Sequence, residues 1–308
     1  METKQQASAL EDRIAKLEAE LANFRSMMEY VNWFPEDVSL ANIDAAGKIY
    51  PLNGRLGGDH IVFIDFNRRH NLDRRIETAL RDGKEELAKN LEKCRSRIGI
   101  LLADSAGHDT TDALLTAMLH QAFLTGVLYE LETEGHVTPK LFEVLNTRFA
   151  KSSSINKFIT MIYGEISDDG AFRFISAGHP KPVVFSAEYD RLVDIHPDRM
   201  NNVMPIGVFP TEGDIDEPAA PAPVLHNKRF AVNQVNLMGR GDILLLQTDG
   251  LYEHADGDRS YSPNHLEAAI RRVKHLPPKD IVTAIYKDMV HFAPPQDDIS
   301  LVAIKRIR

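Results

Sequence analysis

Aspartates stand at the ends of the most apolar segments of this sequence. Asp59 follows Gly57–Gly58 and opens the run His60–Phe66. Asp104 closes Ile-Gly-Ile-Leu-Leu-Ala, Asp249 follows Ile-Leu-Leu-Leu-Gln-Thr, and Asp297 and Asp298 precede Ile-Ser-Leu-Val-Ala-Ile. One such acid is ordinarily a turn former or a helix cap; several that converge need a counter-charge. Two unit charges ~4 Å apart repel by about 4 kcal/mol at an effective dielectric of ~20. Clustered carboxylates therefore raise one another's pKa values or bind cations. No histidine or cysteine cluster lies beside them in the sequence, so the ligands would be oxygens, which suit magnesium or manganese better than zinc. Gly57, Gly58, Gly107 and Gly250 adjoin these segments and would let backbone approach an ion or its waters closely.

The acids need rigid elements to carry them. His60–Phe66, Ile98–Ala103, Phe158–Ile166, Phe172–Ser176, Pro182–Ser186, Phe230–Leu237, Ile243–Gln247 and Ile299–Ile304 read as strands, with turns at Asp168–Gly170 and Gly239–Gly241. Between the first two strands lies a charged stretch, 68–97. There Leu72, Ile76 and Leu80, then Leu87 and Leu91, recur at helical spacing, which predicts a surface helix or a helical pair. Asp109–Glu134 is predicted as a long helix with Leu114, Leu115, Met118, Leu119 and Phe123 on its inner side, and Pro139–Ala150 as a shorter one. Residues 211–226, rich in proline, alanine and acid, read as a surface loop. One late helix is expected to start at Ser262–Pro263, with serine as cap and proline in the first turn, and another near Pro278. Strands and paired helices in this order predict antiparallel sheets with helices packed outside, an α+β arrangement.

At the N-terminus Leu10, Ile14, Leu17, Leu21, Phe24, Met28 and Val31 are spaced 4, 3, 4, 3, 4, 3, the seam of a coiled coil over about three heptads. Ser8 and Glu11 predict a capping box at its start. One amphipathic helix lying on the domain would also fit. The surrounding Glu, Arg and Lys favour a parallel homodimer through residues 8–31. The expected division is a coiled-coil helix over 1–33 and one globular domain over 34–308.

The chain has 308 residues, 43% hydrophobic and 26% charged, with a net charge of −9, which argues against a general nucleic-acid binder. A single cysteine, Cys94, excludes an internal disulfide and a cysteine zinc site. The polar N-terminus lacks the apolar core of a signal peptide, and no stretch approaches the ~20 apolar residues of a membrane span. The expected location is the cytoplasm, either as a separate protein or as the soluble output end of something larger.

The order Gly-Gly-Asp, Asp-Ser-Ala-Gly-His, Ala-Gly-His-Pro, Thr-Asp-Gly-Leu-Tyr-Glu and Asp-Asp-Ile-Ser-Leu resembles the PPM-type metal-dependent serine/threonine phosphatases, in particular the bacterial SpoIIE/RsbU-like subgroup. The resemblance covers about residues 34–308. It implies an α-β-β-α sandwich with a dimetal site in the cleft at the edge of two antiparallel sheets. It also implies Asp59, Asp104, Asp249 and Asp297 as carboxylate ligands and the Ser105 carbonyl as a further ligand. Asp298 is the alternative to Asp297, because the two acids are adjacent. Two Mn2+ or Mg2+ ions would clamp the phosphate and hold between them the water that attacks phosphorus in line, without a phosphoenzyme. By the same resemblance the substrate is a phosphoserine or phosphothreonine on a STAS-type anti-anti-sigma regulator. The short N-terminal segment points to an upstream sensor or activator protein as the source of the signal.

The chain departs from the subgroup in three places. His60-Ile61-Val62 stands where an aromatic pair and a second acid are usual, Gly107-His108-Asp109 puts an extra acid at a helix start, and the 68–97 insertion is longer than the usual hairpin. Asp109 suits the helix dipole better than a metal. His108 would protonate the leaving oxygen or only hydrogen-bond near the site, and His179 reads as a structural turn residue. Two other functions compete. Cyclases that make cyclic di-GMP also carry Gly-Gly-Asp, but there Glu-Phe follows, and Thr-Asp-Gly and Asp-Asp would have no role. A catalytically weak or inactive phosphatase-like scaffold, signalling by coiled-coil-mediated binding, is countered by the presence of every expected metal acid.

Overall fold

A computed structural model describes residues 2–31, 33–52, 56–107, 112–152, 157–196, 200–211, 225–237 and 239–308. His108, Asp109 and most of the predicted 211–226 loop lie outside the described residues. The chain runs α1 (Glu2–Val31), β1 (Asp37–Ser39), β2 (Ile43–Tyr50), β3 (Asp59–Asp65), α2 (Phe66–Arg69), α3 (Leu72–Arg81), α4 (Glu85–Lys93) and β4 (Arg97–Ser105). It continues through α5 (Asp112–Thr133), α6 (Pro139–Ser152), β5 (Ile159–Ser167), β6 (Ala171–Ala177), β7 (Val183–Ser186), β8 (Arg191–Val193), β9 (Asn202–Val203) and β10 (Asn233–Asn236). It closes with β11 (Ile243–Gln247), α7 (Asp249–Tyr252), β12 (Ala255–Asp256), β13 (Arg259–Ser260), α8 (Asn264–Val273), α9 (Pro278–Phe292) and β14 (Ile299–Arg306).

Two sheets carry the core. One runs β1-β2-β14-β11-β7-β8, the other β10-β6-β5-β4-β3 with β9 beside β6. Their pairings are antiparallel, except that β9 runs parallel to β6 over two residues. Successive strand side chains point to opposite faces, and this sorts the apolar runs into three layers. Ile98, Ile100 and Leu102 of β4 meet Leu244, Leu246, Val302 and Ile304 between the sheets. Leu101 and Ala103 turn the other way, onto Phe123 of α5 and Phe142 of α6. Leu245, Leu301 and Ala303 leave the second sheet on its outer side, to pack on Ile270, Ile281 and Ile285 of α8 and α9. The result is the expected α-β-β-α sandwich.

The inner side of α5 differs from expectation. Leu115 is partly buried, and Leu119 and Phe123 are fully buried, but Leu114 and Met118 are 44% and 47% exposed. Ala113 and Ala117 are buried instead, against Met28 and Leu56, with Phe24 and Val31 beside them. This end of α5 is pressed against α1, and the small side chains take the contact. α5 is also the one described helix long and apolar enough to cross a membrane; Leu119, Phe123, Val127 and Leu131 spend that apolarity on the sheet. At α8, Pro263 rather than Ser262 takes the cap position, and no side chain caps it. The insertion forms a helical pair, α3 and α4, whose Leu72 and Leu91 join the α5 side of the core. α1 is anchored by its last turns, while Leu10 (60%), Ile14 (46%), Leu17 (57%) and Leu21 (41%) are exposed.

Candidate metal centre

Strand register brings the first two acids face to face. Asp59 opens β3 and Asp104 lies near the end of β4, and the two are direct partners across the ladder. They share the parity of Ile61 and Leu102, so both side chains enter the space between the sheets. Asp59 is buried. The opposite sheet reaches it through Thr248, whose Oγ1 donates to Asp59 Oδ2 (2.9 Å) and accepts from the Ser300 N–H (3.0 Å). Asp249, the first residue of α7, closes the mouth of this space and shares a side-chain hydrogen bond with Asp104.

The adjacent acids Asp297 and Asp298 part company. Asp298 is buried, its Oδ1 accepting from the Leu52 N–H (2.7 Å) and its Oδ2 from the Gly58 N–H (2.7 Å). Asp297 is exposed, and its charge acts on Asp104 and Asp249. The glycines beside the acids serve Asp298 as well as the cleft. A Cβ on Gly57 would stand 1.9 Å from Asp298 Oδ2, and one on Gly250 2.0 Å from the Asp298 carbonyl oxygen. Gly58 lies in a cradle of oxygens, where a Cβ would come within 2.3 Å of the Gly107 carbonyl and 2.9 Å of the Ser105 carbonyl. The Ser105 N–H donates to the Gly58 carbonyl (3.1 Å), tying the Gly-Gly-Asp segment to the end of β4.

Burial first, and then its acidic neighbours, push the Asp104 carboxyl far above the usual range. Asp59 is raised mainly by burial, against the hydrogen bond from Thr248. Asp249 is raised by burial and by Asp297. Burial and mutual repulsion thus disfavour bare carboxylates here, a cost that a cation would relieve. Among the described residues no three acids or histidines are gathered around one point at ligand spacing. The contacts are pairwise, Asp104 with Asp249 and Asp59 with Thr248. An all-oxygen set with raised carboxyl pKa values and a carbonyl cradle at Gly58 fits hard divalent cations.

Several supporting residues gave little sign in the sequence. Thr248 is the post for Asp59 and is itself held by the Ser300 N–H; in the sequence the adjacent Asp249 is the more conspicuous residue. Asp112 is fully buried and ion-paired with Lys157, against Gly107, whose φ of +126° favours glycine. Nothing in the sequence links those two charges. His60 points away from the cleft and meets His120 of α5, Nε2 to Nδ1, at 2.7 Å. Burial pushes their pKa values down to about 3 and about 4, so both rings are neutral. Assigning the proton to His60 Nε2 leaves the buried, unpartnered His60 Nδ1 as a bare acceptor instead of an orphaned donor. The unusual His60 thus pins α5 to the back of the strand that carries Asp59. His179 is buried, pushed down to about 3 by that burial, with Nδ1 at 3.0 Å from Thr160 Oγ1.

The model of the Stage II sporulation protein E (SpoIIE) family matches residues 95–307. The chain belongs to the SpoIIE family of PPM-type phosphatases. No curated protein matches it significantly in sequence. Among solved structures, the RsbU and RsbW domains of Rv1364c from Mycobacterium tuberculosis superpose with a TM-score of 0.58 at 19% identity, over 89% of this chain and 62% of that one. The PP2C phosphatase domain of SpoIIE from Bacillus subtilis, with a fragment of its regulatory domain, gives 0.57 at 14% identity, over 89% of this chain and 65% of that one. The chain thus spans less than two thirds of either. The catalytic domain of the serine/threonine phosphatase PstP, in complex with two manganese ions, gives 0.50 at 10% identity, over 87% and 99%. At these identities the likeness is one of fold.

Proposed function

We propose that this SpoIIE-family chain is a metal-dependent protein serine/threonine phosphatase acting on a phosphorylated bacterial signalling protein, a STAS-type regulator by the family resemblance. The observation that carries the reading is the Asp59–Asp104 pair, held face to face by register and closed over by Asp249 at the mouth of the intersheet space. Asp59, Asp104, Asp249 and Asp297, with the Ser105 carbonyl, would hold two Mn2+ or Mg2+ ions. Bound there, the ions would neutralise the phosphate and lower the pKa of the water that attacks it. The chain's own part is positional. Thr248, held by the Ser300 N–H, orients Asp59, Asp298 holds the Gly57–Gly58 backbone, and the His60–His120 pair fixes β3 against α5. His108 remains the proposed donor to the leaving oxygen. The chain should hydrolyse p-nitrophenyl phosphate and a phosphoserine peptide only with manganese or magnesium, and Asp249→Ala should remove both activities. Full turnover in excess chelator would sink the proposal. Metal-independent binding of a phosphoprotein without turnover would favour the scaffold reading.

Control from α1 is part of the proposal. Its apolar seam is exposed along Leu10–Leu21, and its last turns pack on α5, the helix that starts beside Gly107. A parallel homodimer would cover the seam, and an upstream partner that reorients it would move α5, by biasing a pre-existing equilibrium. We place this assembly in the cytoplasm. Because Phe24, Met28 and Val31 belong to the domain's packing, the informative deletion is residues 2–22. It should give a folded monomer with altered turnover, read by light scattering and phosphatase assay. An intact chain that is monomeric at tens of micromolar would end the dimer reading.

A further inference from the structure

Away from the candidate metal centre, the charged insertion borders an open cavity of about 890 Å³ between α3, α4 and α5. Leu91 and Leu131 form its buried floor, and Leu87, Leu124 and Leu128 its walls. Arg69, Arg74, Arg75 and Lys84 line its rim, against only Asp82 and Glu132. Arg75 is engaged with Glu132, and Asp82 with Arg81. Arg69, Arg74 and Lys84 have no ion pair among the described residues. His70 lines the same cavity, with a buried Nε2 that has no partner. This concentration of unpaired positive charge stands on a chain whose net charge is −9. The volume falls in the range of small-molecule sites, roughly 300–1,000 Å³.

We infer that this groove binds a free, single-chain anionic amphiphile, its phosphate or carboxylate head held by Arg69 and Arg74 and its hydrocarbon tail laid along Leu124, Leu128 and Leu87. Guanidinium groups pair with such heads through parallel N–H donors, and the half-buried leucines recover apolar area from the tail. The ligand would sit on α5, the helix that His120 ties to β3 behind Asp59. The inference does not depend on the phosphatase reading.

The test is calorimetry on the full chain with dodecyl phosphate below its critical micelle concentration, beside inorganic phosphate and phosphatidylglycerol vesicles. One dodecyl phosphate should bind per chain, and inorganic phosphate at least ~100-fold more weakly, since the tail supplies the remaining affinity. The double variant Arg69→Glu/Arg74→Glu, at exposed positions, should weaken binding at least ~10-fold with an unchanged melting temperature. Leu128→Asp, at an exposed lining position, should also weaken it. Binding of several equivalents that ignores these variants would be ordinary detergent adsorption and would overturn the inference. So would binding to vesicles alone, which would make the groove a membrane contact, or affinity for an acidic helical peptide without affinity for the amphiphile.

Discussion

Asp104→Asn should lower manganese-dependent turnover about a thousandfold while making the metal-free protein more stable at pH 8. The loss follows from the site: stabilising transferred-phosphate charge is worth several kcal/mol, and each ~1.4 kcal/mol is a factor of ten. The gain follows from the raised carboxyl. Above the ordinary carboxylate pKa of ~4, the folded metal-free state binds more protons than the unfolded chain, so its stability falls as pH rises toward the raised folded value. The contribution is fully present below pH ~4 and progressively lost as pH rises toward the folded value of about 10. Each unit of upward shift below the working pH costs about 1.4 kcal/mol, and asparagine removes that cost. Denaturant unfolding in chelator at pH 5 and pH 8 should show a smaller pH slope for the variant. Saturating manganese should reverse the order, because the parent gains stability by mass action and the variant gains less. If Asp104→Asn instead lowers metal-free stability at pH 8, the hydrogen bond with Asp249 outweighs the repulsion and Asp104 is a structural residue.

Much of this architecture can be read from the residues. Ile98–Ala103 and Ile243–Leu246 are apolar on both faces because each face of their sheet is covered, and the acids at their ends mark where the cover stops. The 4-3 spacing from Leu10 to Val31 marks α1. Where reading failed, tertiary packing made the choice. On α5 both Leu114 with Met118 and Ala113 with Ala117 offer an apolar edge, and only contact with α1 selects the alanines. The short strands β8, β9, β12 and β13 have two or three residues each, too few for a period to show. Asp112 and Lys157 are 45 residues apart and meet only through the fold. The insertion's charges read as a solvated face because the cavity they surround depends on how α3 and α4 sit against α5. The glycines were expected to make room for an ion, yet two of them make room for Asp298.

That last acid gives the second large effect. In Asp-Asp-Ile-Ser-Leu-Val the alternation puts Asp298 with Ser300 and Val302, but Ile299, Leu301 and Ala303 are equally apolar, so the pattern does not say which face is inner. The structure puts Asp298 inward, where it accepts from two backbone N–H groups, those of Leu52 and Gly58. Hydrogen bonds to a charged group are worth ~1.5–3 kcal/mol each, and leaving the buried donors unsatisfied adds to the loss. Asp298→Ala should therefore destabilise the protein by about 3–5 kcal/mol even in chelator. It should also abolish turnover, by releasing the Gly57–Gly58 segment that places Asp59. Asp297→Asn, at an exposed position, should leave the chelator melting curve within about 0.5 kcal/mol of the parent, and should weaken manganese binding and turnover together. Melting curves in chelator with a manganese titration for each variant separate the two roles. A stable Asp298→Ala that has lost only its manganese, beside an Asp297→Asn that binds it as the parent does, would transfer the ligand role to Asp298.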